Sequence, residues 1–257
     1  MLIPSYVFPY VKVLVSKHIV EVWRYEDMPL PGSDRDGESL EPKSSCDPME
    51  ERAKNQRRSK WEFMRRVNCT FDAGSRFVTF TFRDGVLSDV TDVREANSYW
   101  NRFMNRMRRR FGNFEWTVVV EFQDSNGRGA VHFHMIANLP YIPKQQLEDI
   151  WEGGFVWINA IDKVDNVGAY VVKYMAADLA DIRLCGLKAW RTSRNIKKPL
   201  ELRGDDARDF LEAYGLVAVD CVSSSAYMSE YNGAIQYEQY NLVRRAVNRV
   251  EFPMIGE

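Results

Sequence analysis

Three histidines occur in the 257 residues, and two of them, His132 and His134, stand two apart in AVHFHMIA. On a β-strand that spacing puts both imidazoles on one face and Val131, Phe133 and Met135 on the other. WTVVVEFQ (116–123) reads as a second strand, joined to the first through DSNGRG, whose Asn126-Gly127 step suits a tight turn. If Gln123 pairs with Ala130, counting inward sets Glu121 directly opposite His132. Cross-strand Cβ atoms lie about 4.5–5.5 Å apart, so two ring nitrogens and a carboxylate oxygen can converge on a divalent ion and leave coordination positions open. Such a site acts as a Lewis acid. The alternative is an ordinary pair of half-buried strand histidines. Hydrolases that build H-x-H into larger metal centres need several further histidines, and this chain offers only His18.

A second group is found in GAYVVKYMAADLA, where Tyr170, Lys173 and Tyr174 stand at i, i+3 and i+4 of an expected helix and so share a face. A phenol of pKa about 10 is a poor nucleophile until a cation or a polarised phosphate assists it, and Lys173 can supply the charge. The plain alternative is two amphipathic core tyrosines with a lysine that reaches past them to water.

The elements that must position these groups follow from periodicity. FVTFTF (77–82) reads as a strand and VREANSYWNRFMNRMRRRF (93–111) as an amphipathic helix with a basic end. After the hairpin come a helix near 143–151, a strand FVWINAI (155–161) and a helix over about 164–180. This β-α-β-β-α-β order predicts an α+β fold of the ferredoxin-like, split β-α-β kind: an antiparallel sheet with two helices on one face. The first and third strands are then central, and the tyrosine-bearing helix covers the other face, where the active site lies. Residues 5–25 alternate like a strand or hairpin. The Pro-, Gly-, Ser- and acid-rich stretch 26–51 reads as flexible, and 52–66 as a basic helix. The expected division is 1–66 as an N-terminal part, 67–200 as the core and 201–257, with a helix near 205–214, as an extension of the same domain. No internal repeat is visible.

Composition bounds the partners. Apolar residues make up 45% of the chain, yet no run approaches the ~18–20 residues of a bilayer span, and no export signal opens the chain. The expectation is a cytoplasmic protein without a membrane partner, its four scattered cysteines reduced. Lys and Arg total 35 against 36 Asp and Glu, so bulk charge announces no nucleic acid and local charge must decide. Arg109 and Arg110 on the amphipathic helix, the arginines between 57 and 66, and Arg191, Arg194, Lys197 and Lys198 are the candidate phosphate contacts. The group from Arg191 to Lys198 follows the tyrosine helix most closely. No G-x-x-x-x-G-K-[ST] motif is present.

HFH with its neighbouring carboxylate, followed by Y-x-x-K-Y, resembles the rolling-circle replication initiators of the His-hydrophobe-His endonuclease superfamily. The two-tyrosine spacing is similar to that of single-stranded-DNA phage initiators. FVTFTF resembles the first motif of that family, with Thr79 and Thr81 beside the site, EFQDSNGRGAVHFHMI the second and AYVVKYM the third, and the likeness extends to WRTSRNIKKP. Plasmid relaxases are similar too, but carry their tyrosines before the histidines.

The resemblance implies that His132, His134 and Glu121 bind Mn2+ or Mg2+, that Tyr170 and Tyr174 attack phosphate and that Lys173 assists. Some relatives have a different third ligand, and Gln123, on the face of Glu121, is the alternative. The implied activity is a metal-dependent nick in single-stranded DNA at a replication origin, presented on a stem-loop, through a 5'-phosphotyrosine that starts and ends rolling-circle replication. A host helicase and DNA polymerase would be partners. A transposase of the same chemistry and a non-catalytic single-strand-binding module remain as other readings. The latter predicts exposed aromatic rings on the open sheet face, where the sequence places threonines, histidines and a glutamate.

Overall fold

β1 (Tyr10–Ser16) and β2 (Ile19–Tyr25) form a tight hairpin. The chain continues through α1 (Pro48–Thr70), β3 (Arg76–Phe80), α2 (Val93–Phe111), β4 (Trp116–Gln123), β5 (Ala130–Ala137), α3 (Lys144–Trp151), β6 (Val156–Ala160) and α4 (Val167–Val172). It ends with β7 (Trp190–Thr192), β8 (Leu200–Arg203), α5 (Gly204–Ala213), β9 (Cys221–Ser229), β10 (Gly233–Asn241) and α6 (Leu242–Ala246). The structure, a computed structural model, describes residues 8–29, 48–124, 127–161, 164–173, 181–184, 186–217, 220–229 and 231–246. Among these the fold is α+β, with two five-stranded antiparallel sheets and six α-helices. None of the described helices is long and apolar enough to cross a membrane. Most of the stretch read as flexible, residues 30–47, lies outside the described residues, whereas 48–51 belong to α1.

Met1–Cys46 with Lys198–Glu257 form one compact unit, and Asp47–Lys197 form another. In the first, the strand order is β8-β1-β2-β10-β9. Alternation places Val11, Val13 and Val15 of β1 and Val20 and Val22 of β2 on one face, where they pack with Ala207 and Phe210 of α5. Residues 201–257, read from sequence as an extension of the core, instead pair with the N-terminal hairpin, Glu238 facing Val22 and Leu202 facing Val13. Partners more than 180 positions apart leave no periodic trace in the chain.

In Asp47–Lys197 the order is β6-β3-β5-β4-β7. The first four strands have the split β-α-β arrangement, with β3 and β5 in the centre, and β7 adds an edge. Val78 and Phe80 of β3, Val118 and Val120 of β4 and Val131, Phe133 and Met135 of β5 point to one side. There they meet Trp100, Phe103, Met104 and Met107 of α2 and Leu147, Ile150 and Trp151 of α3. On α2 these residues recur at three- and four-residue intervals, the stripe a sheet-packing helix needs. Its start is capped by Asp92, which accepts from the backbone of Arg94 at 2.7 Å and Glu95 at 3.3 Å.

The other side of this sheet is half covered. α1 contributes Phe63, Val67 and Phe71, and α4 contributes Val167, Val171 and Val172, over Phe77, Val119 and Ile136. The two helices cross closely at Gly168, where a Cβ would stand 2.4 Å from Met64 O. Asn68 fastens the crossing: its Oδ1 accepts from Gly168 N at 2.7 Å and its Nδ2 donates to Asn166 Oδ1 at 3.1 Å. Asn166 in turn caps α4 by accepting from Ala169 N at 2.9 Å. Replacing Asn68 by Ala strands these buried groups and is expected to cost about 1–3 kcal/mol, read as a lower denaturant midpoint with unchanged m-value. An unshifted midpoint would show that the crossing does not depend on Asn68.

Candidate metal centre and nucleophile helix

The hairpin pairs Gln123 with Ala130 and Glu121 with His132, as counted from the sequence. The β3–β5 register sets Thr79 opposite His134. Parity then turns Thr79, Glu121, His132 and His134 away from the α2–α3 layer, onto the part of the sheet that α1 and α4 leave open. Glu121, His132 and His134 each offer a ligand atom, all within 4.8 Å of one another. Gln123 lies on the same face, one step further along β4 than Glu121.

His134 is only 4% exposed and is held from three sides. Its Nε2 lies 2.5 Å from Glu121 Oε2, its Nδ1 lies 2.9 Å from Thr79 Oγ1, and its ring stacks on Phe77 at 5.9 Å between centroids. A ring nitrogen and a carboxylate oxygen that close share a proton. The hydrogen therefore sits on Nε2, and Nδ1 accepts from Thr79. When Nε2 turns its lone pair to a cation, the hydrogen moves to Nδ1, and the threonine hydroxyl, donor and acceptor both, takes it there. Burial drives the His132 pKa down to about 4, helped by the charge of His134, opposed by Glu121 and assisted by Arg128. His132 is therefore neutral at physiological pH, with a lone pair free for coordination. Two imidazoles and one carboxylate fit a divalent ion that tolerates mixed nitrogen and oxygen ligands.

Tyr170 lies on α4, its ring packed edge-on against Phe77 at 5.5 Å. Phe77 thus touches a candidate ligand on one side and a candidate nucleophile on the other. Lys173 is exposed and caps α4 through its backbone N–H to Tyr170 O at 3.3 Å. The helix expected over 164–180 spans six described residues, Val167–Val172, and Tyr174 lies outside the described residues.

The expected phosphate contacts are dispersed. Arg191 pairs with Val118 and so faces the helix layer. Its guanidinium lies 6.0 Å from the Trp100 ring centre and 5.8 Å from that of Phe133, with its pKa lowered to about 10 by burial. Arg109 and Arg110 are exposed at the end of α2, on the side of the sheet away from the ligands. Arg194, Lys197 and Lys198 are exposed beyond the Thr117–Thr192 pair, which lies four residues, or roughly 13 Å of strand, from Glu121. Thr81 has its hydroxyl engaged with the backbone of Phe155. A cleft of about 1550 Å³ runs along the β7 edge and is lined in part by Arg66, Arg108, Lys188, Arg191 and Arg194. None of Glu121, His132, His134 and Tyr170 lines it.

Sequence reasoning missed the parts that support the site. Asn68 and Gly168 set the tyrosine helix, Phe77 spaces Tyr170 from His134, and Phe155 and Trp157 stand exposed on the ligand face. The β6 alternation in FVWINAI carried a signal for the last two.

Residues 75–179 match the family described as Replication-associated protein ORF2, which is consistent with a rolling-circle replication initiator. The matched stretch begins just before β3 and contains the three candidate ligands, both tyrosines and Lys173. The chain matches none of the curated proteins and none of the solved structures with which it was compared.

Two outcomes follow from the geometry. Thr79→Val removes the partner of Nδ1 and is expected to weaken Mn2+ binding about 10- to 100-fold by calorimetric titration; wild-type affinity would remove Thr79 from that role. His132, with a folded-state pKa of about 4 against an ordinary 6.5, binds fewer protons folded than unfolded between those values. Its contribution to stability is complete above about pH 6.5 and drains as pH falls toward 4. In chelator, wild type should lose more urea resistance between pH 7 and pH 5 than His132→Asn; equal losses would contradict the assignment.

Proposed function

We propose that this protein is a metal-dependent, site-specific endonuclease and strand transferase that nicks single-stranded DNA at a replication origin to start and end rolling-circle replication. The convergence of Glu121, His132 and His134 on the sheet face flanked by Tyr170 carries this reading, and the family match of residues 75–179 supports it. Mn2+ or Mg2+, bound by those three side chains, would polarise the scissile phosphate and offset the charge that develops on its oxygens.

The chain's own part begins at the phenol. Tyr170 Oη, or that of Tyr174, attacks phosphorus in line and gives up its proton. The new bond is tyrosine O–P; the bond that breaks is P–O3', and the leaving oxygen takes a proton to become a free 3'-OH. The products are a 5'-phosphotyrosine and that hydroxyl. One phosphodiester replaces another, so a returning 3'-OH can reverse the step without an external energy source. Lys173, at the end of α4, supplies positive charge that favours the phenolate. A second tyrosine lets cleavage and rejoining alternate on one protein.

Phosphate contacts along the strand fall to the cations of the β7 cleft, with Arg194, Lys197 and Lys198 beyond it. The host's helicase and polymerase would supply unwinding and synthesis in the bacterial cytoplasm.

The test is a denaturing gel of the protein incubated with a labelled, random-sequence pool of single-stranded DNA. With Mn2+ a covalent adduct is expected, lost with chelator, in Glu121→Ala and in the Tyr170→Phe, Tyr174→Phe double variant. The single variants rank the nucleophiles. Absence of adduct, with tight binding that ignores chelator and survives His132→Ala, would overturn the proposal.

A further inference from the structure

β6 borders β3 at the edge of the sheet, and its register decides which of its side chains join the site. Trp157 pairs with Thr79 and Asn159 with Phe77. Phe155, Trp157 and Asn159 therefore share the face of the metal cluster, while Val156 and Ile158 turn to the helix layer. Phe155 is fastened beside Thr81. The backbone N–H of Thr81 donates to Phe155 O at 3.1 Å, its hydroxyl donates to the same oxygen at 3.2 Å, and Phe155 N donates back to Thr81 Oγ1 at 3.2 Å. Gly154 permits the approach, since a Cβ there would stand 2.6 Å from Thr81 O.

Phe155 is 66% exposed and Trp157 60%. Two large rings left in water side by side mark a surface with a partner more than an accident of packing. Their positions are about 6.6 Å apart along the strand, and Trp157 is two strands, roughly 9–10 Å, from His134. Lys144 Nζ lies 5.0 Å from the centre of the Trp157 ring and puts a cation at the rim of the pair. Rings on one side of a phosphate-directed site, with a cation beside them, match the chemistry of a nucleic-acid strand whose bases are free to stack.

We propose that Phe155 and Trp157 form a stacking platform for unpaired bases adjoining the phosphate held at Glu121, His132 and His134. This rests on the endonuclease reading and specifies its substrate: DNA that is single-stranded immediately beside the cut. Bases already stacked within a duplex cannot reach the rings, and every free base can, so the platform selects strandedness and not sequence.

The test compares wild type with Phe155→Ala, Trp157→Ala and the double variant, in chelator, by fluorescence anisotropy. The probes are an oligothymidylate of about 20 nucleotides and an abasic oligomer of equal length. Each substitution should weaken oligothymidylate binding roughly 5- to 150-fold and leave abasic binding and Mn2+ affinity unchanged. With Mn2+, the DNA concentration giving half-maximal adduct should rise by the same factor while the maximal rate changes less. Wild-type affinity in the double variant, or equal losses on both oligomers, would overturn the platform. Adduct missing from wild type, with the base-dependent loss intact, would reject the endonuclease reading and leave the platform standing.

Discussion

The antiparallel register of β4 on β5 is the constraint from which the rest of the site follows. It sets Glu121 against His132 and, through β3, Thr79 against His134. A slip of one residue would carry both imidazoles into the α2–α3 layer and bring Val131, Phe133 and Met135 out to water. The packing of Phe133 against Trp100 and Phe82 thus selects the pairing that makes the ligands converge. Core formation and ligand assembly are one event, so the cluster is preorganised by the apolar face behind it.

The nucleophile is positioned by a different and weaker device. α4 has six described residues, too few to be stable as an isolated helix. Its place is set by the α1 crossing at Gly168, the Asn68–Asn166 bonds and the Phe77 ring beneath Tyr170. The sheet gives the ligands a rigid frame, and the tyrosine rests on a short element secured at one end. That division suits a reaction in which a phenol must approach a phosphorus atom that the rigid frame holds still.

Local periodicity made much of this legible. Alternation in WTVVVEFQ and AVHFHMIA defined both faces, and the turn residues between them fixed the count that pairs Glu121 with His132. The central placement of β3 and β5 followed from element order. Long-range and short-segment features were not readable. α1 looked like a basic surface helix because Phe63, Val67 and Phe71 are spread among arginines and lysines. In WRTSRNIKKP no period could show that a three-residue strand turns Arg191 inward and Trp190 toward Phe63. In FVWINAI the apolar residues occupy both faces, so Phe155 and Trp157 read as core, although the edge position of β6 leaves them without a covering layer.

The two edges of the sheet differ in what they offer a polynucleotide. Along β7 lies the cleft with Arg66, Arg108, Lys188 and Arg194, while β6 carries the exposed rings of Phe155 and Trp157. The edges are four strand spacings apart, about 19 Å, with the ligand cluster between them. On the proposed function, a strand crossing this face is gripped by its phosphates on one side of the cut and by its bases on the other. Phosphate contacts tolerate paired and unpaired DNA alike and weaken with salt, whereas stacking demands unpaired bases and is nearly indifferent to salt. Placing the two at opposite edges ties affinity to one flank and the requirement for single-strandedness to the other. The carboxylate and imidazoles between them need then discriminate nothing beyond the position of one phosphate.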